Sequence, residues 1–248
     1  MNQKKIALVT GGTGGIGTAI CKGLFDQGRH VIAGYFPPEK EIAEAWQRER
    51  AEEGYVFDII PGDVSSFEAS EKMIQDILVQ YGPIDILVNC AGITRDKTLR
   101  KMEPEQWSSV LRTNLDSAFN VTRHVVESMS SNGFGRIVNI SSVNGQKGQF
   151  GQANYSAAKA GLHGFTKAVA QELAAKGVMV NTVSPGYVNT EMTAMMPQEV
   201  LDSIVSHVPV GRMAAPDEIA YSVCFLTDDR NTYITGANLP VNGGMYMN

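Results

Sequence analysis

Apolar and polar positions along the chain follow two recurring patterns: short, nearly unbroken apolar runs, and longer stretches with a period close to that of a helix. The first run, Lys5 to Thr10, is closed by Gly11, and Ile16 to Gln27 then has helical length and periodicity. His30 to Tyr35 reads as a second strand, residues 39 to 53 as a charged helix, Tyr55 to Ile60 as a third strand and Ile84 to Asn89 as a fourth. One long helix is expected over Glu103 to Asn132, with a proline in its first turn, where the amides have no intrahelical partner. Strands at Arg136 to Ser141, at Val178 to Ser184 and within the tail Asn238 to Gly244 complete the set. Helices fill residues 154 to 176 and the stretch opening at Pro216, whose Asp217 and Glu218 suit a helix N-terminus. Buried strands alternating with helices from the outset predict an α/β fold, a doubly wound parallel sheet with helices on both faces and ligands at the carboxyl ends of the strands. No repeat, linker or low-complexity segment interrupts the pattern, so one domain over residues 1–248 is expected.

Composition narrows the classes. Hydrophobic residues make up 43% of the chain and charged ones 19%, values of a soluble globular protein rather than a disordered or membrane one. A net charge of -5 with no basic tail argues against general affinity for nucleic acid or an anionic membrane. Cys21, Cys90 and Cys224 are an odd number at wide spacing, which fits buried reduced thiols better than a disulfide framework or a metal site. The apolar run after the first residues is too short for a signal peptide or a membrane span, so cytoplasmic residence is expected.

Chemistry enters at the strand ends. Between the first strand and helix lie Gly11, Gly12, Thr13, Gly14, Gly15, Ile16 and Gly17. Glycines there let the backbone turn tightly and approach a pyrophosphate, whose charge the helix N-terminus favours; a purely structural turn is the other reading. The second strand ends Ala33-Gly34-Tyr35-Phe36, with no acid to take ribose hydroxyls and repel a 2′-phosphate. NADPH is therefore favoured over NADH, with Lys40 or Arg29 as phosphate partners or merely as surface cations, and Glu39 counts against the assignment. Gly62, Asp63 and Val64 follow the third strand, where Asp63 is placed to accept from an adenine amino group or to cap the next helix. Asn89, Cys90, Ala91 and Gly92 form a small-residue loop over which a cofactor can pass, or a simple packing element. Asn114 falls within the apolar stripe Trp107, Val110, Leu111 and Leu115, either as a satisfied core amide or as a holder of a catalytic water. A segment of about residues 187–209, rich in Met192, Met195 and Met196, has the length and adaptable side chains of a substrate lid, or is a core helix with methionine filler.

The richest stretch runs from Asn139 to Gly161, which leaves an apolar strand, crosses a Gly- and Gln-rich loop and enters a small-residue helix. Ser142 lies just past a strand, while Tyr155 and Lys159 stand four apart on one helix face. A phenol is a poor proton donor or acceptor near neutral pH, but a neighbouring ammonium lowers its pKa. Tyr155 can then pass a proton to a carbonyl oxygen that the Ser142 hydroxyl holds in place. A surface pair at helical spacing is the bland alternative for Tyr155 and Lys159.

These motifs together resemble the short-chain dehydrogenase/reductase family over essentially the whole chain: the Thr10–Gly17 loop, Asn89–Gly92, Asn114, Ser142, Tyr155-Ser-Ala-Ala-Lys159 and Pro185-Gly186. The resemblance implies a Rossmann-type sheet, with Tyr155 as general acid, Lys159 as its tuning cation and ribose ligand, Ser142 as carbonyl anchor and Asn114 as anchor of a relay water. It brings Pro185, Gly186, Val188 and Thr190 to the cofactor. Cys90 departs from the pattern, since the family usually has a second Asn there. Within the family, Ala91–Asp96 and Asn139–Gln152 look like reductases that take acetoacetyl-CoA in polyhydroxybutyrate synthesis. On that likeness Asp96, Ser142, Gln149, Phe150, Gln152, Tyr155 and Tyr187 contact an acyl-CoA thioester, and the product is the (R)-3-hydroxy compound. Two alternatives stand beside it: a 3-oxoacyl-acyl-carrier-protein reductase, weakened by the absence of a basic cluster in Met129–Gly135 but kept open by Arg136 and Lys176, and a non-catalytic NADP(H)-sensing module. Members of this size are usually homotetramers packed through long helices, here residues 103 to 132 and 154 to 176.

Overall fold

Every residue of β1 (Ile6–Thr10) is buried, and the strand explains the layering of the molecule. Successive strand side chains point to opposite faces. Ala7 and Val9 pack with Ala19, Ile20 and Leu24 of α1 (Gly15–Asp26), whereas Ile6 and Leu8 belong to the cluster that holds Met73, Ile74, Ile77, Val121 and Val125. The computed structural model describes residues 4–190, 193 and 197–247. Among them, β1, β2 (His30–Tyr35), β3 (Asp58–Pro61), β4 (Ile84–Asn89), β5 (Gly135–Ile140), β6 (Val178–Pro185) and β7 (Asn238–Val241) form one sheet in the order β3-β2-β1-β4-β5-β6-β7. Every pairing is parallel. The chain leaves β1 toward β2 and β3 on one side and returns to β4 on the other, so the direction of winding reverses between β1 and β4. A crevice opens at such a point at the carboxyl ends of the strands.

Helices cover both faces. α1 and the late helix α9 (Pro216–Thr227) lie on one side, with α2 (Lys40–Glu52) beside them. α3 (Phe67–Gln80), α5 (Ser117–Asn132) and α7 (Ala153–Leu173) lie on the other. Pro240 is tolerated because β7 is an edge strand, where a missing amide leaves no ladder bond unmade. Among the described residues no helix is long and apolar enough to cross a membrane.

Three local expectations are corrected. The third strand is Asp58–Pro61, not Tyr55 to Ile60. Tyr55 and Phe57 are diverted into a ring cluster, with Phe57 stacked on Trp46 at 5.3 Å and Phe25 edge-on to both Tyr55 and Phe57. Residues 103 to 132 are not one regular helix: α4 (Pro104–Leu111) and α5 are separated by a π-helical turn, Arg112–Asp116. Of the stripe expected there, Val110 is fully buried but Trp107 is 41% exposed. The Gly- and Gln-rich connector after β5 also contains a short helix, α6 (Val143–Lys147). In the lid region, α8 (Gln198–Ser206) is helical and largely exposed, while Met192, Met195 and Met196 lie outside the described residues.

Candidate active site

The carboxyl end of β5 delivers Ser141 and Ser142 into the middle of the sheet edge. The Ser141 hydroxyl donates to the Lys159 carbonyl at 2.8 Å and its amide to the Val183 carbonyl at 2.8 Å, tying β5, β6 and α7 together. Ser142 caps α6, its Oγ accepting from the Asn144 amide at 3.1 Å, and its hydroxyl also hydrogen-bonds Tyr155. Fully buried Asn154 fixes the start of α7. Its amide donates to the Arg95 carbonyl at 3.0 Å and the Gln106 carbonyl at 2.9 Å, and its Oδ1 accepts from the Tyr155 amide at 2.8 Å. Tyr155 is thus positioned through its own amide by a side chain that is itself anchored on two other segments.

Lys159, one turn on and 4% exposed, has Nζ 5.7 Å from the centroid of the Tyr155 ring and donates to the Ile140 carbonyl at 2.7 Å. The alternative of a surface pair is therefore set aside: Lys159 is buried and Tyr155 partly so. Its electrostatics differ from the sequence reading. Burial pushes the Tyr155 phenol up, and the lowering influence is the Ser142 hydrogen bond rather than Lys159; Asp96, Cys90 and Tyr187 raise it further. Burial brings the Lys159 ammonium down to about 8, opposed by Cys90. In this state Tyr155 holds its proton firmly.

Asn114 is the central residue of the π-helical turn and 2% exposed. Its amide donates to the Ile93 and Val110 carbonyls, both at 2.9 Å, and its Oδ1 accepts from the Ile93 amide at 3.1 Å. The side chain is a satisfied core amide that clamps the loop after β4. Asn89 plays a related part beneath it: its amide donates to Asn139 Oδ1 at 2.8 Å and Thr122 Oγ1 at 3.2 Å, and Asn139 continues to Thr166. Thr10, which sequence reasoning left unassigned, accepts at its hydroxyl from the Cys90 and Ala91 amides at 3.1 and 3.2 Å and so hangs the Asn89–Gly92 loop from β1.

Of the residues expected at a substrate, the structure connects some and separates others. Gln152 donates to Asp96 Oδ2 at 2.8 Å and accepts from Asn144 Nδ2 at 2.9 Å, and the Asn144 side chain also hydrogen-bonds the Tyr187 phenol. Asp96, Gln152, Asn144 and Tyr187 form a chain of contacts around Ser142 and Tyr155. Asn144 is its hub, and nothing in its sequence position two after the serine marks it out. Gln149 and Phe150 stand apart on the rim. Gln149 accepts from Lys147 Nζ at 2.8 Å, and Phe150 is 87% exposed.

The dinucleotide side is a cleft of about 330 Å³ lined by Gly11, Thr13, Gly34, Gly62, Asp63, Val64, Ala91 and Gly92, among others. The donor set fits a pyrophosphate. Gly11 has φ 62, and a Cβ there would stand 2.9 Å from the Ala91 Cα; Gly14 caps α1 with no side-chain partner, leaving first-turn amides for an anion. Gly12, Gly15, Ile16 and Gly17 form the back of the turn, and a Cβ on Gly15 would lie 2.9 Å from the Thr190 methyl group, which brings Thr190 over the loop. Pro185 closes β6; the Gly186 amide then bonds the Val241 carbonyl, and Val188 bridges to Ala214. Asp63 does not cap α3. Its Oδ1 takes the Ser65 amide at 3.0 Å and hydroxyl at 2.7 Å, and Ser66 is the cap. Glu39, not Lys40, lines the cleft; Lys40 is 68% exposed at its side chain and 3.6 Å from Glu44. Arg29 is excluded as a phosphate partner, because it sits at the opposite, amino end of β2 and bonds Asp229 at 2.8 Å.

A parallel sheet with a glycine turn at its switch point and, across from it, a Ser-Tyr-Lys cluster whose Ser142 and Lys159 are buried defines a dehydrogenase of the short-chain class. The chain belongs to that family: the short chain dehydrogenase family model matches residues 5–200. It is 60% identical over 243 residues to the acetoacetyl-CoA reductase of Allochromatium vinosum, covering 98% of this chain and 99% of that one. It is 50% identical over 244 residues to the acetoacetyl-CoA reductase of Cupriavidus necator, covering 98% and 99%. It is also 45% identical over 247 residues to a 3-oxoacyl-acyl-carrier-protein reductase of Haemophilus influenzae, covering 99% of each. The protein is an oxidoreductase acting on CH-OH groups.

Proposed function

We propose that the protein reduces acetoacetyl-CoA to (R)-3-hydroxybutanoyl-CoA with NADPH. The observation that carries this reading is the joining of the Ser142–Tyr155 pair to the Asp96–Gln152–Asn144–Tyr187 chain, a polar mouth beside the cleft, in a chain similar over nearly its full length to acetoacetyl-CoA reductases. When bound, the nicotinamide supplies a hydride to the carbonyl carbon. The Ser142 hydroxyl hydrogen-bonds the carbonyl oxygen, and Tyr155 gives that oxygen its proton. A phenol raised by burial keeps its proton near neutral pH, the state a donor needs in the reducing direction. Lys159, held by the Ile140 carbonyl, is placed to hold the nicotinamide ribose and to stabilise the phenolate left behind. Asn114, fully engaged with Ile93 and Val110, positions the loop below the cofactor rather than binding a water through its side chain.

NADPH is supported by the cleft-lining run Gly34, Tyr35 and Phe36, which carries no carboxylate, and opposed by Glu39 on the same wall. CoA rather than a carrier protein is supported by Arg136 and opposed by Lys176, which is exposed. Arg136 lies just ahead of the catalytic strand's apolar core but is 2% exposed and spent on the carbonyls of Gly135, Gly177, Asp228 and Asp229. Steady-state assays with acetoacetyl-CoA and with acetoacetyl carrier protein test the reading, and a clearly higher kcat/KM for the carrier form would overturn it. NADPH binding without turnover on either substrate would instead favour a sensing module. The aromatic faces left open on α4 and α5, Trp107 at 41% and Phe119 at 49%, support self-association through the long helices. A solution mass near one chain contradicts that assembly.

A further inference from the structure

We propose that a basic strip on the rim of the substrate mouth, formed by Lys97, Arg100, Lys101 and Lys147, docks the phosphates of the CoA nucleotide, with Phe150 offering a face for its adenine. This rests on the acyl-CoA reading of the substrate. The strip stands out against the charge of the protein: a chain of net charge -5 places Arg95, Lys97, Arg100 and Lys101 within seven residues that contain a single carboxylate, Asp96. Arg95 lines the dinucleotide cleft and is left to it. Lys97, Arg100, Lys101 and Lys147 are all exposed, and among the described residues none of them has a carboxylate partner.

Several other surface cations are paired, Lys22 with Glu53, Lys72 with Asp76 at 2.8 Å and Arg112 with Glu105 at 2.8 Å, whereas Arg48, Arg123, Lys167 and Lys176 are exposed without a carboxylate partner among the described residues but are scattered along the sequence rather than grouped. The acids that follow the strip do not serve it, because Glu103 belongs to the capping box of α4 and Glu105 is taken by Arg112. Like charges crowded without counterions destabilise a fold by a few tenths of a kcal/mol per pair, so folding alone gives no account of the strip.

Its placement does. The Lys97 amide donates to the Gly151 carbonyl at 2.9 Å, Lys97 bridges Gln152, and Gln152 holds Asp96. The strip is thereby sewn to the loop that runs from Lys147 through Phe150 to the start of α7, two residues before Tyr155. Phe150 is 87% exposed between Gly148 (φ 72) and Gly151 (φ 80), and Leu99 beside the cations is 74% exposed. An aromatic ring among unpaired cations is the composition that takes a base and its phosphates together. The pantetheine arm separates the nucleotide of an acyl-CoA from its reacting carbonyl. With the carbonyl at Ser142 and Tyr155, the phosphates emerge at the rim.

The test is the triple variant Lys97→Gln, Arg100→Gln, Lys101→Gln, whose positions are solvent-exposed and outside the catalytic set. With acetoacetyl-CoA its kcat/KM should fall about tenfold, through KM and with a shallower salt dependence. With acetoacetyl-N-acetylcysteamine, which keeps the acyl thioester and lacks the phosphates, it should not change. Equal losses on both substrates, or no loss on the CoA thioester, would overturn the proposal, as would a loss seen only with acetoacetyl carrier protein, which would make the strip a protein-docking face. Binding of free CoA to the NADPH-saturated protein provides an arm that needs no turnover. Weakened CoA binding in the triple variant supports the strip even if the preferred reaction proves to be another, and unchanged CoA binding rejects it even if acetoacetyl-CoA is the substrate.

Discussion

Lys159 Nζ lies 2.7 Å from the Ile140 carbonyl oxygen, so the buried ammonium beside Tyr155 is moored to the last residue of β5. One backbone bond only partly offsets the removal of a charge from water, and burial brings the group down to about 8. The native state therefore loses this proton before the unfolded chain does. The penalty is complete below about pH 8 and fades as pH rises toward the ordinary lysine value. Lys159→Met should abolish reduction yet raise Tm by roughly 2–4 °C at pH 7. The advantage should shrink between pH 8 and 10, as thermal melts of the two proteins across that range would show; a variant less stable than the parent at pH 7 contradicts the cost assigned to the charge.

Tyr155→Phe removes the proton donor and the partner of the Ser142 hydroxyl while leaving the cleft wall intact. NADPH affinity by fluorescence titration should stay within about twofold, while kcat falls by roughly 100-fold or more, the range of a lost general acid. Substantial residual turnover would mean that the proton comes from elsewhere.

Asn144 touches Ser142, Gln152 and Tyr187 at once. In Asn144→Ala the last two contacts are lost, and the KM for the acyl substrate should rise about tenfold, the equivalent of one or two buried hydrogen bonds. KM for NADPH should not follow, and Asn144→Asp, which cannot donate to the Gln152 carbonyl oxygen, should resemble the alanine variant. A parallel rise in both Michaelis constants would indicate a general loosening of α6 instead.

Lys40 opens α2 next to the Glu39 that lines the cleft, and among the described residues its one ionic contact is a 3.6 Å approach to Glu44. Lys40→Ala should raise KM for NADPH severalfold with KM for NADH unchanged. Glu39→Gln should act in the opposite sense. Equal effects on both cofactors would remove Lys40 from the 2′-phosphate.

The alternation of apolar runs and amphipathic stretches made the sheet and its winding legible, because β1, β2, β4, β5 and β6 are buried so completely that their residues leave no ambiguity. Tyr55 and Phe57 misled for the opposite reason: strand-forming side chains were drawn into a ring cluster with Phe25 and Trp46, a tertiary preference that no local window contains. Ser142, Tyr155 and Lys159 were legible from spacing on one helix and one strand end. Asn144, Asn154 and Thr10 were not, since each acts through contacts with segments distant in sequence, and an Asn or Thr with such partners looks like any other. The direction of the Tyr155 shift was also hidden, because spacing reveals a neighbouring cation but not how much water the pair has lost.

The π-helical turn at Arg112–Asp116 amounts to one residue more than a regular helix would carry between α4 and α5. That surplus residue is what lets Asn114 reach sideways to both carbonyl and amide of Ile93 while α5 keeps its apolar face, Val121, Val125 and Met129, on the sheet. A shortened helix without the bulge would be the more regular object, and would turn either the clamp or the core-facing side away from its target. The helix has exchanged regularity for the ability to serve two masters, the core along its length and the cofactor loop at a single point.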